Sequence, residues 1–211
     1  IYREYGKESV SKVQENPYRL ADDIWGIGFK TADGIASKMG YGKDDPRRVR
    51  SGIIYTLGQL ADEGHCFATD EQLLGTAAEL LDVGEEAIGA VLADMAGAGD
   101  VITDGDAIYL PPFHYAECGV ARRLLAMRNG NGSLFPEDEP ELPRGEGIVY
   151  DETQLEAVRL ALKSKVMVLT GGPGTGKTTT TKAIIGALRS SGMKVLLAAP
   201  TGRASKRMSE A

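Results

Sequence analysis

The sequence predicts a mixed fold, in which a largely helical N-terminal region is followed by the first part of an α/β domain. Apolar residues recur at helical spacing, between glycines, through the first 128 residues. A segment rich in Gly, Pro and acidic residues then interrupts the pattern at 129–149. After residue 150 an apolar run, a glycine-rich stretch, a helical pattern and a second apolar run follow one another, which is typical of a strand–helix–strand unit.

The composition is that of a soluble globular protein. Of the 211 residues, 42% are hydrophobic and 26% are charged, which argues against disorder. The sequence has no apolar run near the ~20 residues that span a bilayer, and its N-terminus does not resemble a signal peptide. Cys66 and Cys118 are too few for a disulfide framework and lack metal-ligand spacing, so we expect a reducing, cytoplasmic setting. Because the chain starts without Met, we expect it to be part of a longer protein.

Charge is segregated along the chain, although the net charge is only −6. Residues 1–50 hold ten Lys or Arg against eight acids, whereas residues 51–121 hold thirteen acids and no Lys or Arg. From residue 163 onward there are nine Lys or Arg and one acid, Glu210. We therefore expect the two ends of the chain, rather than its middle, to contact nucleic acid.

The first block, residues 1–43, contains the stretch LADDIWGIGFKTADGIA, which resembles the helix–hairpin–helix DNA-binding motif. Gly26 and Gly28 allow a tight turn whose N–H groups meet a phosphate at a helix N-terminus. Lys30 and Thr31 can add contacts to the same DNA backbone. The alternative is a helical hairpin used only for packing or for binding a protein partner.

The second block, residues 44–128, is predicted to hold three helices and a β-hairpin, the order of a winged-helix-like fold. The predicted elements are helices at 47–64, 69–81 and 85–96 and strands at 101–103 and 107–110. The dipeptide Asp104-Gly105 supplies the turn between the strands.

This acidic block (residues 44–128) is not expected to bind DNA, although winged helices often do. A surface without cations between residues 51 and 121 cannot replace the counterions around phosphates. A scaffold role or a contact with a protein partner is the expectation. Arg47, Arg48 and Arg50 stand together at the start of the block, and in a scaffold their reversal to Glu should change little.

The third part is predicted to begin, after a linker at 129–149, a phosphate-binding α/β domain over residues 150–211. Its predicted elements are a helix at 152–163, a strand at 166–170, a glycine-rich loop, a helix at 178–190 and a strand at 195–199. A helix between two such strands makes them parallel neighbours in one sheet.

The glycine-rich loop, GGPGTGKT, satisfies the phosphate-loop pattern G-x-x-x-x-G-K-[ST]. Glycines let successive backbone N–H groups point at phosphate oxygens. Lys177 supplies a positive charge for the β- and γ-phosphates, and the Thr178 hydroxyl can ligate Mg²⁺. The alternative is a glycine-rich turn without a ligand. The predicted nucleotide contacts are Gly171, Gly172, Pro173, Gly174, Thr175, Gly176, Lys177, Thr178 and Thr179.

Three stretches, YDETQLEAV, GGPGTGKTTT and AAPTGRASKRM, together resemble the RecD-like superfamily 1 DNA helicases, which move 5′ to 3′. The segments NPYRL and GIGFK in the first block resemble the N-terminal part of the same enzymes. The resemblance implies a RecA-like motor domain, and it implies that Gln154 recognises adenine, so that the nucleotide is ATP. It also implies that Lys177 and Thr178 are catalytic with Mg²⁺, and that the partners are single-stranded DNA and duplex junctions.

The resemblance further places a contact with the backbone of single-stranded DNA at Thr201, Gly202 and Arg203. A hydroxyl, a glycine N–H and a guanidinium at the C-terminal edge of a parallel sheet suit that task. Lys206 adds positive charge for a phosphate track. The alternative is a solvated basic helix start.

The expected function is that of an ATP-dependent DNA helicase that unwinds duplex by ATP hydrolysis. The resemblance places the acidic Mg²⁺ motif, the later glutamine motif and the arginine finger beyond residue 211, so these 211 residues alone are expected to be inactive. The alternative is a non-motor protein, a nucleotide-switched adaptor that binds DNA or a protein partner.

Overall fold

The computed structural model describes residues 1–130, 149–202 and 205–206, and the chain forms two compact units, residues 1–120 and 121–211. The helices are α1 (Tyr2–Tyr5), α2 (Ser9–Glu15), α3 (Arg19–Asp23), α4 (Phe29–Lys38), α5 (Pro46–Asp62), α6 (Asp70–Leu81), α7 (Glu85–Ala98), α8 (Pro111–Asn129), α9 (Glu152–Lys163) and α10 (Lys177–Ser190). The strands are β1 (Ala68–Thr69), β2 (Ile102–Asp104) and β3 (Ala107–Tyr109). Most of the predicted linker, residues 131–148, lies outside the described residues, as does Arg203.

The helices of the acidic block begin where their capping residues stand. Asp45 caps α5 by accepting the N–H of Arg47 at 2.9 Å, and Pro46 occupies the first helical position. Thr69 caps α6 in a capping box, in which its hydroxyl accepts the Gln72 N–H at 3.3 Å. The three helices predicted in this block are therefore confirmed, with ends that differ by one or two residues.

The predicted hairpin is also present, and it belongs to a three-stranded antiparallel sheet in the order β1-β3-β2. Asp104 pairs with Ala107, so that the turn consists of Gly105 and Asp106 rather than the predicted Asp104-Gly105, with Gly105 at φ +63°. Strand β1, which pairs Ala68 with Ile108, was not predicted. Two residues are too few to show an alternating pattern, and only the tertiary fold brings them beside β3.

One hydrophobic core runs through the first unit from α1 to β3. Leu20, Phe29 and Ala36 of the first block share this core with Ile53 and Leu73 of the acidic block. The boundary predicted between residues 43 and 44 therefore falls inside one compact unit, and it remains a prediction about the two parts of that unit.

A half-buried polar cluster connects the same two parts. Arg48 of α5 donates to Asp33 of α4 from Nε at 2.8 Å and from Nη2 at 3.1 Å, and its Nη1 donates to the carbonyl oxygens of Lys43 and Leu81 at 2.8 and 2.7 Å. The hydroxyl of Tyr18 donates to Asp33 at 2.9 Å, and burial, together with that hydrogen bond, raises the pKa of Tyr18. Reversing Arg48 to Glu would therefore destabilise the fold, because it would set two carboxylates against each other in a half-buried site. That reversal of the three arginines changes DNA binding little stays a prediction.

The second unit has a small core between α9 and α10. Val158 and Leu162 of α9 pack against Ala183 and Ala187 of α10, at the four-residue spacing of a helical face. The helix predicted at 152–163 has those bounds in the structure, and the helix predicted at 178–190 begins one residue earlier.

The two parallel strands predicted on either side of the phosphate loop are not formed in the described part of the chain. Residues 166–170 and 195–199 have no strand assignment there, and Val168 and Leu196 are 84% and 81% exposed. Strands of a parallel sheet are hydrogen-bonded to neighbours and buried on both faces. Neither requirement is met within the described residues, and the prediction of paired strands is wrong for this structure.

Helix α8 was not predicted. None of its 19 residues is buried, although the apolar side chains of Phe113, Val120, Leu124 and Met127 recur along it at helical spacing. In the ranges that the structure describes, no helix combines the length and the apolar character that crossing a membrane requires.

Candidate nucleotide site and DNA-binding hairpin

The phosphate loop leads directly into the N-terminus of α10. Gly174 and Gly176 have φ angles of +79° and +75°, which only glycine adopts without strain. Gly176 is the residue that precedes the helix, and no side chain caps the helix there. The first N–H groups of α10 have no partners within the helix, and together with the helix dipole they favour an anion at this point.

Lys177 holds its ammonium group within the loop. The Nζ atom donates to the carbonyl oxygens of Gly171 and Gly172, both at 2.5 Å, and the Thr175 hydroxyl donates to the Gly172 carbonyl at 2.9 Å. These bonds keep a positive charge beside the helix N-terminus. Lys177 therefore lies at the position from which an ammonium group can reach a bound phosphate.

The threonines that follow Lys177 differ in their surroundings. The hydroxyl of Thr180 donates to the Gly176 carbonyl at 3.1 Å, and that of Thr181 donates to the Lys177 carbonyl at 2.8 Å, so both serve the helix. Thr178, the predicted Mg²⁺ ligand, is exposed in the first turn. A hydroxyl oxygen there is a ligand of the hard type that Mg²⁺ prefers.

Gln154 lies against the phosphate loop and is held by a capping box. Asp151 accepts the Gln154 N–H at 2.8 Å, and the Gln154 side-chain oxygen accepts the Asp151 N–H at 3.1 Å. A Cβ atom added to Gly176 would lie 2.2 Å from Gln154 Nε2, so the side-chain amide approaches the loop where only glycine leaves room. Asp151 was not among the predicted site residues, although the spacing D-x-x-Q is a readable signal of this box.

The stretch predicted to track DNA is only partly described. Thr201, Gly202 and Lys206 are exposed, and the Thr201 carbonyl accepts the Ser205 N–H at 2.9 Å as a helix starts. Arg203, the predicted guanidinium of this site, lies outside the described residues. The assignment of these residues to DNA remains a prediction.

The predicted helix–hairpin–helix consists of α3, a turn and α4. Gly26 has a φ of +90° in the turn, and Gly28 precedes the first residue of α4 without a side-chain cap. Phe29 anchors the start of α4 in the core, where it stacks on Tyr55 with ring centroids 5.3 Å apart. Lys30, in the first turn of α4, is exposed.

Gly28 has a property that packing does not explain. Its φ of −95° suits any residue, and no heavy atom lies within 4 Å of the place that a Cβ would take. The space beside the helix N-terminus is therefore open. That is the arrangement a phosphate needs in order to approach the backbone N–H groups.

Each end of the chain matches a known protein family. Residues 1–67 match the family described as the helix–hairpin–helix (HHH) domain of the ATP-dependent RecD2 DNA helicase, and residues 154–211 match a family described as an AAA domain. The whole chain aligns with the ATP-dependent RecD2 DNA helicase of Deinococcus radiodurans, at 32% identity over 231 positions and 99% of the chain.

Both ends of the chain are thus similar to the corresponding parts of RecD-like helicases. The chain is also similar to the RecBCD enzyme subunit RecD of Mycobacterium tuberculosis, at 37% identity over 115 residues and 51% of the chain, and to that of Mycolicibacterium smegmatis, at 35% over 116 residues. It spans 31% of the length of the Deinococcus protein and 19% of the M. tuberculosis protein.

Proposed function

We propose that this chain supplies the DNA-binding N-terminal region and the start of the motor of an ATP-dependent DNA helicase that moves 5′ to 3′ on single-stranded DNA and unwinds duplex. The observation that carries the proposal is the phosphate loop with Gln154 held against it. It occurs in a chain similar over 99% of its length to an ATP-dependent RecD2 DNA helicase.

In this proposal the triphosphate of ATP lies at the N-terminus of α10. Lys177 moves its ammonium from the carbonyls of Gly171 and Gly172 to the β- and γ-phosphates, where it stabilises the charge that develops during phosphoryl transfer. The exposed Thr178 hydroxyl would ligate Mg²⁺, which when bound neutralises charge on the β- and γ-phosphate oxygens.

Gln154 is proposed to select adenine. Its main chain belongs to the first turn of α9 and its side-chain oxygen is bound to the Asp151 N–H, so the amide has a fixed position beside the loop. A primary amide can both donate to and accept from the edge of adenine. The remaining nitrogen, Nε2, is the atom nearest the loop.

Two surfaces are proposed to hold DNA. The hairpin with Gly26, Gly28, Lys30 and Thr31 contacts the phosphate backbone at the open N-terminus of α4 without reading sequence. The stretch with Thr201, Gly202, Arg203 and Lys206 tracks the single strand beside the motor. The acidic block, which lies between these surfaces in the sequence, is proposed as a scaffold and as a site for a protein partner, since its residues 51–121 lack the cations that DNA binding requires.

The proposal is tested on the complete protein with duplexes that carry a single-stranded tail on either the 5′ or the 3′ side. We expect strand separation with ATP on the 5′-tailed duplex only. Lys177→Ala should abolish both ATP hydrolysis and unwinding while the protein stays folded. Lys182→Ala is the matched control, because Lys182 is an exposed cation of the same helix and should leave both activities intact.

Other outcomes would count against this function. Unwinding by the Lys177→Ala protein would remove the phosphate loop from the mechanism, and unwinding of the 3′-tailed duplex would reverse the direction. A wild-type protein whose DNA affinity responds to ATP but which separates neither duplex would be the nucleotide-switched adaptor instead.

A further inference from the structure

Trp25 is the one tryptophan in the sequence, and its side chain is 101% exposed. It stands at the tip of the hairpin between α3 and α4. The neighbours on either side, Ile24 and Ile27, are partly buried and packed against the core. The hairpin is therefore anchored by both flanks while the largest apolar side chain in it remains in solvent.

The backbone holds Trp25 in that position. The Ile24 carbonyl accepts the Ile27 N–H at 3.1 Å, and Gly26 has a φ of +90°. A turn closed in this way with glycine at its third position has the pattern of a type II turn, in which Trp25 occupies the second position. The turn is short and its ends are partly buried, which holds the backbone of Trp25 in place.

The space around the tip is open. A Cβ added to Gly26 or to Gly28 would meet no heavy atom within 4 Å. The exposed Lys30 and the uncapped start of α4 follow within a few residues. On the α3 side, the carboxylate of Asp23 accepts the Tyr5 hydroxyl at 2.8 Å and lies 3.5 Å from the Arg19 guanidinium, so its negative charge is balanced.

From this arrangement we infer that Trp25 is a stacking platform for an unpaired nucleobase whose phosphate is held by the same hairpin. The inference rests on the proposed DNA-binding role of the hairpin and adds a preference to it. An indole face binds any base of a single strand by stacking. Bases inside a duplex have both faces covered, so the hairpin would prefer single strands and junctions with unpaired bases over continuous duplex.

A protein pocket could also accept an exposed indole. The nucleobase is favoured because the glycines, the uncapped helix N-terminus and the exposed Lys30, which follow Trp25 closely in the sequence, are features that bind phosphate rather than an apolar pocket. A nucleic acid supplies a base and a phosphate together.

The test compares two oligonucleotides of equal length and charge, oligo-dT and the same backbone made abasic. Because Trp25 is the only tryptophan of the 211-residue chain, its fluorescence reports on the tip directly. We expect oligo-dT to quench this emission and the abasic strand to leave it nearly unchanged. Trp25→Ala should weaken binding of oligo-dT at least about fivefold, the lower end of what a lost stacking contact costs, without affecting the abasic strand.

Three further variants separate the explanations. Trp25→Phe should retain most of the affinity for oligo-dT, since a phenyl ring also stacks. Tyr115→Ala, at another exposed aromatic of the same unit, should change neither affinity. Lys30→Ala should weaken both strands alike, because both carry phosphates.

The inference is overturned if Trp25→Ala leaves oligo-dT binding unchanged, which would make Trp25 a protein contact, or if it weakens both strands equally. In either case a loss on Lys30→Ala would preserve the proposed DNA-binding role of the hairpin. If Lys30→Ala and Gly28→Val leave both strands unaffected, the hairpin does not bind DNA and the proposed function of this region fails with the inference.

Discussion

At the scale of single residues, Arg48 contributes more to the stability of the fold than its position in a cluster of arginines suggests. The segment PRRVR contains three arginines within four positions, and the sequence alone does not distinguish their structural roles. In the structure Arg48 is 12% exposed and bound to Asp33, whereas Arg47 is 45% exposed and bound to its near neighbour Asp45. Arg50 is half exposed and pairs with Asp100 at 2.9 Å.

We therefore expect Arg48→Ala to lower the free energy of unfolding by about 2–4 kcal/mol, since it leaves a half-buried carboxylate and two carbonyls without their partner. Arg47→Ala should cost less, about 1–2 kcal/mol, because its pair with Asp45 is exposed and its other contacts are the Glu15 carbonyl at 2.7 Å and the Tyr41 ring. Urea unfolding of the two variants measures the difference. Equal losses would mean that the Arg48–Asp33 pair contributes no more than a surface contact.

At the scale of elements, the crossing of α5 and α6 depends on a glycine. A Cβ on Gly52 would lie 2.5 Å from Leu81 Cδ2 and 3.0 Å from its Cγ. Leu81 is fully buried, so it has no room to move away. Residue 52 therefore sets how closely the two helices approach.

Gly52→Ala should destabilise the protein by about 1–3 kcal/mol, because overpacking outweighs the better helix propensity of alanine. Gly58→Ala is the matched control in the same helix. No atom lies within 4 Å of its added Cβ, so it should be neutral or stabilise by up to about 1 kcal/mol. Thermal unfolding of both variants checks this, and a stabilised Gly52→Ala protein would show that the crossing is loose.

At the scale of the whole molecule, the boundary of the first compact unit differs from the boundary that the charge distribution suggests. The acidic block differs from the first block in charge, but the two share one core from Tyr5 to Ile108. Hydrophobic burial does not depend on which part of the surface is acidic. A segment can therefore be electrostatically distinct without being able to fold alone.

We accordingly expect residues 1–120 to unfold cooperatively as an isolated unit, and residues 44–121 to lack a cooperative transition. The shorter piece loses Leu20, Phe29 and Ala36 from the core and loses Asp33 from Arg48. Circular dichroism during heating distinguishes the two. A sharp transition in residues 44–121 would establish the acidic block as an independent domain.

The features that the sequence determined by itself are those that depend only on residues close together in the chain. The caps Asp45, Thr69 and Asp151 mark helix starts, because a side chain bonds backbone N–H groups two or three residues ahead. The phosphate loop is equally local, since glycines and a helix start supply its geometry. Apolar periodicity and the glycine pattern predicted the helices on both sides of the loop and the candidate nucleotide residues, whereas the caps Asp45 and Asp151 were readable in the sequence but were not used.

Only the tertiary structure decided what depends on residues far apart in the chain. It pairs β1 with β3, joins Arg48 to Asp33, brings the Gln154 amide to Gly176 and leaves Trp25 in solvent. It also leaves residues 166–170 and 195–199 without strand partners among the described residues, although both are short apolar runs of the kind typical of buried strands. The physical reason is that strand pairing and burial depend on contacts between segments that are distant in the chain. The local sequence sets the secondary-structure propensity of a segment, but it does not specify which other segment packs against it.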